Sequence, residues 1–547
     1  MTARLSTEGK TGQNAAAGAG TLAGHDVPLG GAYAKYALAV LVTVYVLNFL
    51  DRQILSILAE NIKADLGISD AQLGFLYGTS FAIFYALFGI PLGRLADLWT
   101  RKKLIAIGLS FWSLMTALSG LARGFTSLAI FRVGVGIGEA SASPASYSLL
   151  SDYFPPKLRA TAFGIYSSGV YVGGGIGVFL GGAILDTWNG WFPDPSLAPF
   201  GLRGWQAAFL TVGLPGLLMA LWVSTLREPR RGQGDGLTTT QAPHPFRAAA
   251  SEFLAILPGL SFIHMARIGA PARLYLINVI GAVVLAVTAW GLIVATGSTL
   301  QWLGLAIGLY CAFSWALSLS VTDSETFGMI LRCRTILLAS VGFATLSFAT
   351  YGMSFWAPPY FIRTYNVSAA EIGAILGIEA AIGGWIGVSV AGYIADKWRE
   401  RSIRGNLYVG LITIVLTATS ALATLLLNDL TIAYVVIFVY SVVNAMWLGP
   451  AIATVTGLVL PKARALTGAL FIMTLTFIGL ALGPYLMGYF SDVFIAGGDS
   501  PSDGLRHGVM VGLSALLLGG ACLLIAMRTI EKDEAAGLAR AEAFRNG

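Results

Sequence analysis

Five ionisable side chains stand inside long apolar stretches of this chain, and their types and spacing can do chemistry. Asp51 and Arg52 fall in Asn48-Phe49-Leu50-Asp51-Arg52, while Arg132 and Glu139 fall in Arg132-Val133-Gly134-Val135-Gly136-Ile137-Gly138-Glu139. The fifth, Glu379, stands in Gly377-Ile378-Glu379-Ala380-Ala381. An ionisable group in hydrocarbon costs a few kcal/mol, which makes each of these a functional candidate by default. Seven residues separate Arg132 from Glu139, so on a helix they share nearly one face and differ in height by ~10 Å. The first four can then line a single water-filled cavity. Two carboxylates beside two guanidiniums suit proton-linked binding of an anion or a zwitterion. A neighbouring Arg favours an ionised carboxylate, loss of water favours the neutral acid, and closing a cavity changes both. Arg also presents a planar fork that fits phosphate or carboxylate. On this reading Asp51 is the principal proton carrier, and Glu139 is a second carrier or the partner that tunes it. Arg52 and Arg132 divide their contacts between those carboxylates and the substrate's anionic head group. Asn48, one turn before Asp51, and Glu379, from across the cavity, add polar substrate contacts. The competing reading is a set of structural ion pairs that only fix helix packing.

Such residues need elements that hold them at mid-membrane, and composition supplies them. Hydrophobic residues make up 56% of the 547-residue chain and charged residues 11%, against roughly 25% charged in a soluble domain. Long apolar windows with few charges lie near 34–58, 71–92, 104–122, 125–150, 160–185 and 206–226. A second set lies near 337–361, 371–395, 406–427, 431–459, 466–490 and 508–527. Lipid offers backbone amides no partner, so each window is read as a spanning helix of ~20 residues. Between the sets, Leu274 to Thr322 contains no charged residue and is too long for one crossing. Gly297-Ser298-Thr299 offers a turn there, so two further helices are expected, fourteen spans in all.

The divisions that follow are a disordered tail over 1–33, a six-helix half over 34–228 and a linker with two additional membrane helices over 229–335. A second six-helix half covers 336–528, and a cytoplasmic tail covers 529–547. With the N-terminus inside, 27 of the 34 Lys and Arg residues fall on cytoplasmic segments. Five fall outside (Lys63, Arg123, Arg203, Arg363, Arg506), and Arg52 and Arg132 fall within spans. This asymmetry puts both termini in the cytoplasm. No organelle address is evident, so a multi-pass protein of the inner (cell) membrane is expected. The first 33 residues lack the apolar core of a signal peptide.

The two halves carry matching punctuation. Gly93-Arg94-Leu95-Ala96-Asp97-Leu98-Trp99-Thr100-Arg101-Lys102-Lys103 follows the second span, and Gly392-Tyr393-Ile394-Ala395-Asp396-Lys397-Trp398-Arg399-Glu400-Arg401 follows the eighth. Weak internal symmetry of this sort is the trace of duplicated transporter halves. Gly93 lets a neighbouring helix approach, and Asp97 and Arg101, with Asp396 in the second copy, form a gating latch for the cytoplasmic side. These loops resemble the signature loop of the major facilitator superfamily. The resemblance covers twelve helices and implies an all-α membrane protein whose six-helix halves are related by pseudo-two-fold symmetry. The two extra helices at 274–322 are a departure from that pattern. With Trp205 opening the sixth span, the Asn48–Arg52 and Arg132–Ala140 segments resemble the Spinster branch of the superfamily. That resemblance implies proton-coupled, alternating-access carriage of an amphipathic lipid, a lysophospholipid or sphingolipid phosphate. A small organic anion or drug held by the same arginines is the alternative.

Other classes are set aside on the residues present. The only Gly-Lys pair, Gly9-Lys10, lacks the preceding glycine of a nucleotide-binding loop. Four isolated histidines (His25, His244, His264, His507) offer no enzyme constellation, so no cofactor, metal or catalytic site is expected. Cys311, Cys333 and Cys522 form no disulfide framework. The net charge of +6 comes from short basic runs between apolar stretches, so nucleic acid is not an expected partner. The expected partners are the substrate, protons and membrane lipids, with the chain acting as a monomer. The basic linker near 227–273 is expected to lie on the cytoplasmic membrane surface. Tyr351, Phe355, Trp356, Tyr360, Trp385, Trp447 and Phe471 read as an aromatic wall suited to an acyl chain. Gly173-Gly174-Gly175 and the glycines after them let the fifth helix pack closely or bend.

Overall fold

The computed structural model describes residues 27–235, 244–460 and 463–546. Most of the expected N-terminal tail (1–26) and residues 236–243 of the linker lie outside the described residues. The first half opens with α1 (Ala32–Leu66), which ends at Gly67 in the left-handed conformation. Next come α2 (Asp70–Tyr77) and α3 (Thr79–Leu98), one crossing broken at Gly78. Ser69 and Gln72 start α2 with a reciprocal capping box, which satisfies two amides that no helical carbonyl reaches. The half continues with α4 (Arg101–Ser119), then α5 (Phe125–Glu139) and α6 (Ala142–Tyr153), whose break follows Glu139 directly. It closes with α7 (Pro156–Trp191) and α8 (Gly204–Ser224).

The described residues of the linker from 245 onward are mostly helical. The amphipathic α9 (Pro245–Ile256) and α10 (Leu260–Arg267) meet at a 113° bend. Phe246 packs on Trp99 and Phe253 on Phe88, with ring centroids 5.1 and 5.2 Å apart, which fastens α9 along α3. The expected inserted pair is present as α11 (Ala272–Thr296) and α12 (Thr299–Thr322), turning at Gly297 with a φ of 70°. The Asn278 side-chain amide donates to the Ser314 hydroxyl at 2.9 Å and ties the two together. The inner stripe of α12 touches both halves, with Gly308 against Ile83 of α3 and against Phe477. Helix α13 (Ser324–Arg332), capped by Asp323, leads into the second half.

The second half consists of α14 (Arg334–Tyr365), α15 (Ala369–Arg401), α16 (Gly405–Leu426), α17 (Leu430–Asn444) and α18 (Leu448–Gly457). After them come α19 (Arg464–Thr474), a π-helical stretch over Leu475–Ala481, α20 (Gly483–Ala496), α21 (Pro501–Leu513) and α22 (Ala515–Asn546). Helix α22 runs on past the span end expected near 527. Its extension of strong helix formers is held by Arg399–Glu534 and Arg404–Glu531 pairs of 2.8 and 2.9 Å. Twelve helical stretches are long and apolar enough to cross a membrane. Helix α4 and the α5–α6 pair, which occupy the third and fourth of the fourteen expected spans, are not among those twelve.

The halves touch along α7 and α15, along α2 and α20, and along α1 and α14. The approach is backbone to backbone. A Cβ added at Gly377 would stand 2.5 Å from the Gly175 carbonyl oxygen, and one at Gly74 would run into Pro484 and Tyr485 of α20. Only glycine permits such contacts, and they gather toward the end of the bundle where α1 ends and α2 begins. At the opposite end the two repeated loops stand apart. Gly93 has only the Pro144 Cβ within reach, at 3.9 Å, and Gly392 has nothing within 4 Å.

Candidate functional site

The four charged residues of the first half converge. Asp51 and Arg52 come from the middle of α1, Arg132 and Glu139 from α5, and all four are buried. Arg52 Nε donates to Glu139 Oε2 at 2.6 Å. The Arg52 guanidinium is also packed among three rings, 4.8 Å from Phe49, 4.4 Å from Phe81 and 4.7 Å from Tyr85. Aromatic faces attract a cation most where water is excluded. Arg132 does not take up Glu139 directly. Its Nε donates to the Leu76 carbonyl at 3.3 Å and its Nη1 to the Asp51 carbonyl at 3.2 Å, which pins α5 to α1 and α2. Asp51 turns its carboxylate toward Trp112 and Thr116 of α4.

This cluster is incompletely satisfied. Arg132 Nη2, Asp51 Oδ1, Glu139 Oε1 and Asn48 Oδ1 are all buried without a hydrogen-bond partner among the described residues. A purely structural network would be expected to close its bonds, because each orphaned buried group costs about 1–3 kcal/mol. Arg52 is the most exposed of the four, at 9%, and lies within electrostatic range of Tyr351 on α14, across the seam between the halves. Beside it runs a hydrogen-bonded chain that spans the seam. The Tyr77 hydroxyl donates to Gln53 Oε1 at 2.7 Å, and Gln53 Nε2 donates to the Ser354 hydroxyl at 2.6 Å.

The second half meets this cluster with fewer groups than expected. Glu379 lies on α15 one turn before Gly383, on the stripe that abuts Ser441 and Val442 of α17, and is not brought to the arginines. Of the expected aromatic wall, Phe355 reaches the first half, with its ring 4.6 Å from that of Tyr77. Tyr351 also faces it. The others are committed elsewhere: the Trp356 indole N–H donates to the Pro484 carbonyl, and the Tyr360 hydroxyl to the Leu425 carbonyl. Trp447 stacks on Phe343, and Trp385 points outward at 66% exposure.

One functional element has no counterpart in the expectations from sequence, an ion-pair latch at the closed end. Arg363, at the end of α14, donates through Nη2 to Asp70 Oδ1 at 2.7 Å and through Nη1 to Asp70 Oδ2 at 2.8 Å. Its Nε donates to Glu60 Oε1 at 2.9 Å, and Lys63 reaches Asp70 Oδ1 at 2.6 Å. The Ser491 hydroxyl also donates to Asp70, while Asp492 accepts the backbone amides of Asp70 and Ala71 at 3.0 and 2.8 Å. Arg363, Ser491 and Asp492 come from the second half, and Glu60, Lys63 and Asp70 from the first.

The residues expected to form a latch at the other end are not joined across the halves. Arg101 is buried within its own half, donating to Asp152 Oδ2 at 2.5 Å and Glu228 Oε1 at 2.8 Å. Asp97 is exposed among Arg94, Arg101 and Arg231, and Asp396 is exposed on α15. Among the described residues, the ion pairs at this end each stay within one half or its flanking segments. The molecule is therefore shut at the Arg363 end and parted at the end that carries the repeated loops.

The family described as the Major Facilitator Superfamily matches residues 41–484. The chain is 26% identical over 501 residues to an MFS-type efflux pump of Mycolicibacterium smegmatis, covering 91% of this chain and 93% of that one. It is 24% identical to protein spinster homolog 1 of Xenopus laevis, covering 94% and 84%. Among solved structures it resembles a bacterial homolog of the human lysosomal transporter Spinster in an inward-facing, unoccupied conformation. That match has a TM-score of 0.69 and 27% identity, and covers 92% of this chain and 98% of the other.

Proposed function

Because this chain belongs to the major facilitator superfamily and is a multi-pass membrane transporter, we propose that it carries an amphipathic anionic or zwitterionic lipid, coupled to protons. The substrate class is a lysophospholipid or a sphingolipid phosphate, moved by alternating access. One observation carries the reading: a buried Arg52–Glu139 pair whose neighbours Arg132 and Asp51 keep unpaired polar atoms. With both carboxylates ionised, the two arginines are balanced and the cluster is neutral. An anionic head group entering it adds negative charge that hydrocarbon does not tolerate, and one proton offsets one such charge. With Asp51 protonated the cluster carries one net positive charge, and the Arg52 fork exchanges Glu139 for a phosphate oxygen, with Arg132 Nη2 and Asn48 beside it. Asp51 holds the coupled proton. Proton and anion therefore bind cooperatively.

We take the lipid class from the resemblance to Spinster, and the chain as an inner-membrane monomer with both termini in the cytoplasm. In that orientation the parted end faces the cytoplasm, and Gly93, Asp97, Arg101 and Asp396 border a gate that closes when the Arg363 latch opens. A second reading has support in the efflux-pump relative: export of small organic anions or drugs through the same arginines. The two separate in proteoliposomes with an imposed pH gradient, offered either a fluorescent lysophospholipid or a small aromatic acid. Gradient-dependent movement of the lipid is the expected result. Movement of the acid alone would leave the chain a transporter and remove the lipid from the account.

A further inference from the structure

Glu379 is the mid-membrane carboxyl that the site above does not use. It lies ten residues into α15, ~15 Å along the helix, half of a ~30 Å hydrocarbon layer. It is 7% exposed, and its Oε2 has no hydrogen-bond partner among the described residues. No described cation balances it, in contrast to the arginine-bearing cluster of the first half.

The elements packed on α15 explain this isolation. Helix α7 meets the opposite face through glycines, and its Asp186 is spent on the Ala370 amide at 2.6 Å while Tyr171 lies by Gly384. Helix α18 carries no titratable side chain, and the one on α16, Tyr408, stands in its first turn beside Trp398. Arg363 on α14 and Glu60 on α1 are committed to the latch. On α17, the Tyr440 hydroxyl is directed at the Ala349 carbonyl. That leaves Tyr434, which lies within electrostatic range of Glu379 and donates its hydroxyl to Glu371 Oε1 at 3.1 Å. Glu371 is exposed in the first turn of α15. Glu371, Tyr434 and Glu379 thus form a descending series from the latch end of the bundle to its middle.

We propose that Glu379 is a proton-binding site of the second half, separate from the Asp51–Glu139 cluster and loaded from the latch end through Glu371 and Tyr434. Tyr434 makes no hydrogen bond to Glu379, so water between them takes the Tyr434 hydroxyl proton on to Glu379 while the hydroxyl takes one from Glu371, and no net charge remains on the tyrosine. A lone carboxylate in hydrocarbon is costly where the neutral acid is cheap, so the loaded form is the resting form. The inference goes beyond the lipid reading and does not depend on it.

The test needs neither substrate nor gradient. Wild-type protein in nanodiscs is treated with dicyclohexylcarbodiimide, which modifies protonated carboxyls from the apolar phase, between pH 5.5 and 10. Peptides are then read by mass spectrometry. An adduct at Glu379 is expected, with a yield that falls roughly tenfold per pH unit above the site's midpoint. It should be absent from Glu379→Gln, and it should form more slowly after an acid jump in Tyr434→Phe. Absence of the adduct across the range, with Asp51 or Glu139 labelled in the same sample, overturns the assignment, as does a yield unchanged up to pH 10. The wild-type result stands alone if either variant fails to fold.

Discussion

Arg363→Ala is expected to unlatch the closed end and shift the protein toward the opposite conformation. Arg363 makes three charged hydrogen bonds to Asp70 and Glu60, and its side chain and that of Asp70 are 5% and 0% exposed. Removing one partner of a buried pair costs about 3–5 kcal/mol, mostly from the charge left behind. Lys63 remains beside Asp70 and softens that loss, so about 2–3 kcal/mol is the fair expectation. The cost falls on the state in which the halves meet here, because in the other state both groups reach water. At 1.4 kcal/mol per factor of ten, the conformational equilibrium moves by roughly thirty- to a hundred-and-fortyfold. Spin labels at the exposed Lys103 and Lys397 positions, one on each side of the parted end, read the change. A new population at shorter distance in Arg363→Ala is the expected spectrum. A distribution identical to the parent would mean the latch does not hold this state.

Removing Arg52 separates the functional reading of the cluster from the packing one. Arg52→Ala strands Glu139, which is fully buried, and should cost about 3–5 kcal/mol with flux reduced at least a hundredfold. The informative variant is the double one. If the pair only fixes helices α1 and α5, Arg52→Ala with Glu139→Ala regains both stability and transport, since matched removal of a buried pair is often nearly neutral. If Arg52 binds the head group, the double variant regains its melting temperature and stays inactive. Thermal unfolding and flux measured on the same preparations settle which holds. Recovery of transport would retire the binding role of Arg52.

The cluster is legible in sequence because charge is rare in apolar windows and the rise of a helix fixes height. Those two facts suffice to put Asp51, Arg52 and Arg132 at one level of the membrane, with Glu139 ~10 Å deeper on the same helix face as Arg132. The same contrast exposes the inserted pair, whose uncharged run has a turn at Gly297 in the middle. Pairing inside the cluster is not legible. Arg52 takes Glu139 and leaves Arg132 to backbone carbonyls, a choice set by helix rotation. The Arg363 latch escapes sequence reading because its residues occupy ordinary loop positions and Arg363 lies 293 positions from Asp70. One signal points to it. Lys63, Arg203, Arg363 and Arg506, four of the five basic residues that break the inside bias, each pair with a carboxylate. Asp97 and Asp396, read from sequence as a latch, stand exposed and are not joined across the halves. Aromatic residues such as Trp356 and Trp385 carry no positional signal in a spanning helix, and most serve packing or face outward.

The most direct test of the account is uptake of a fluorescent lysophospholipid into proteoliposomes under an imposed pH gradient, in the parent protein and in Asp51→Asn. Asparagine keeps the shape of Asp51 and cannot carry its proton. The account predicts gradient-driven uptake in the parent and its loss in Asp51→Asn, with lipid binding retained. Gradient-driven uptake that survives in Asp51→Asn would contradict it and leave the charged cluster as a packing device.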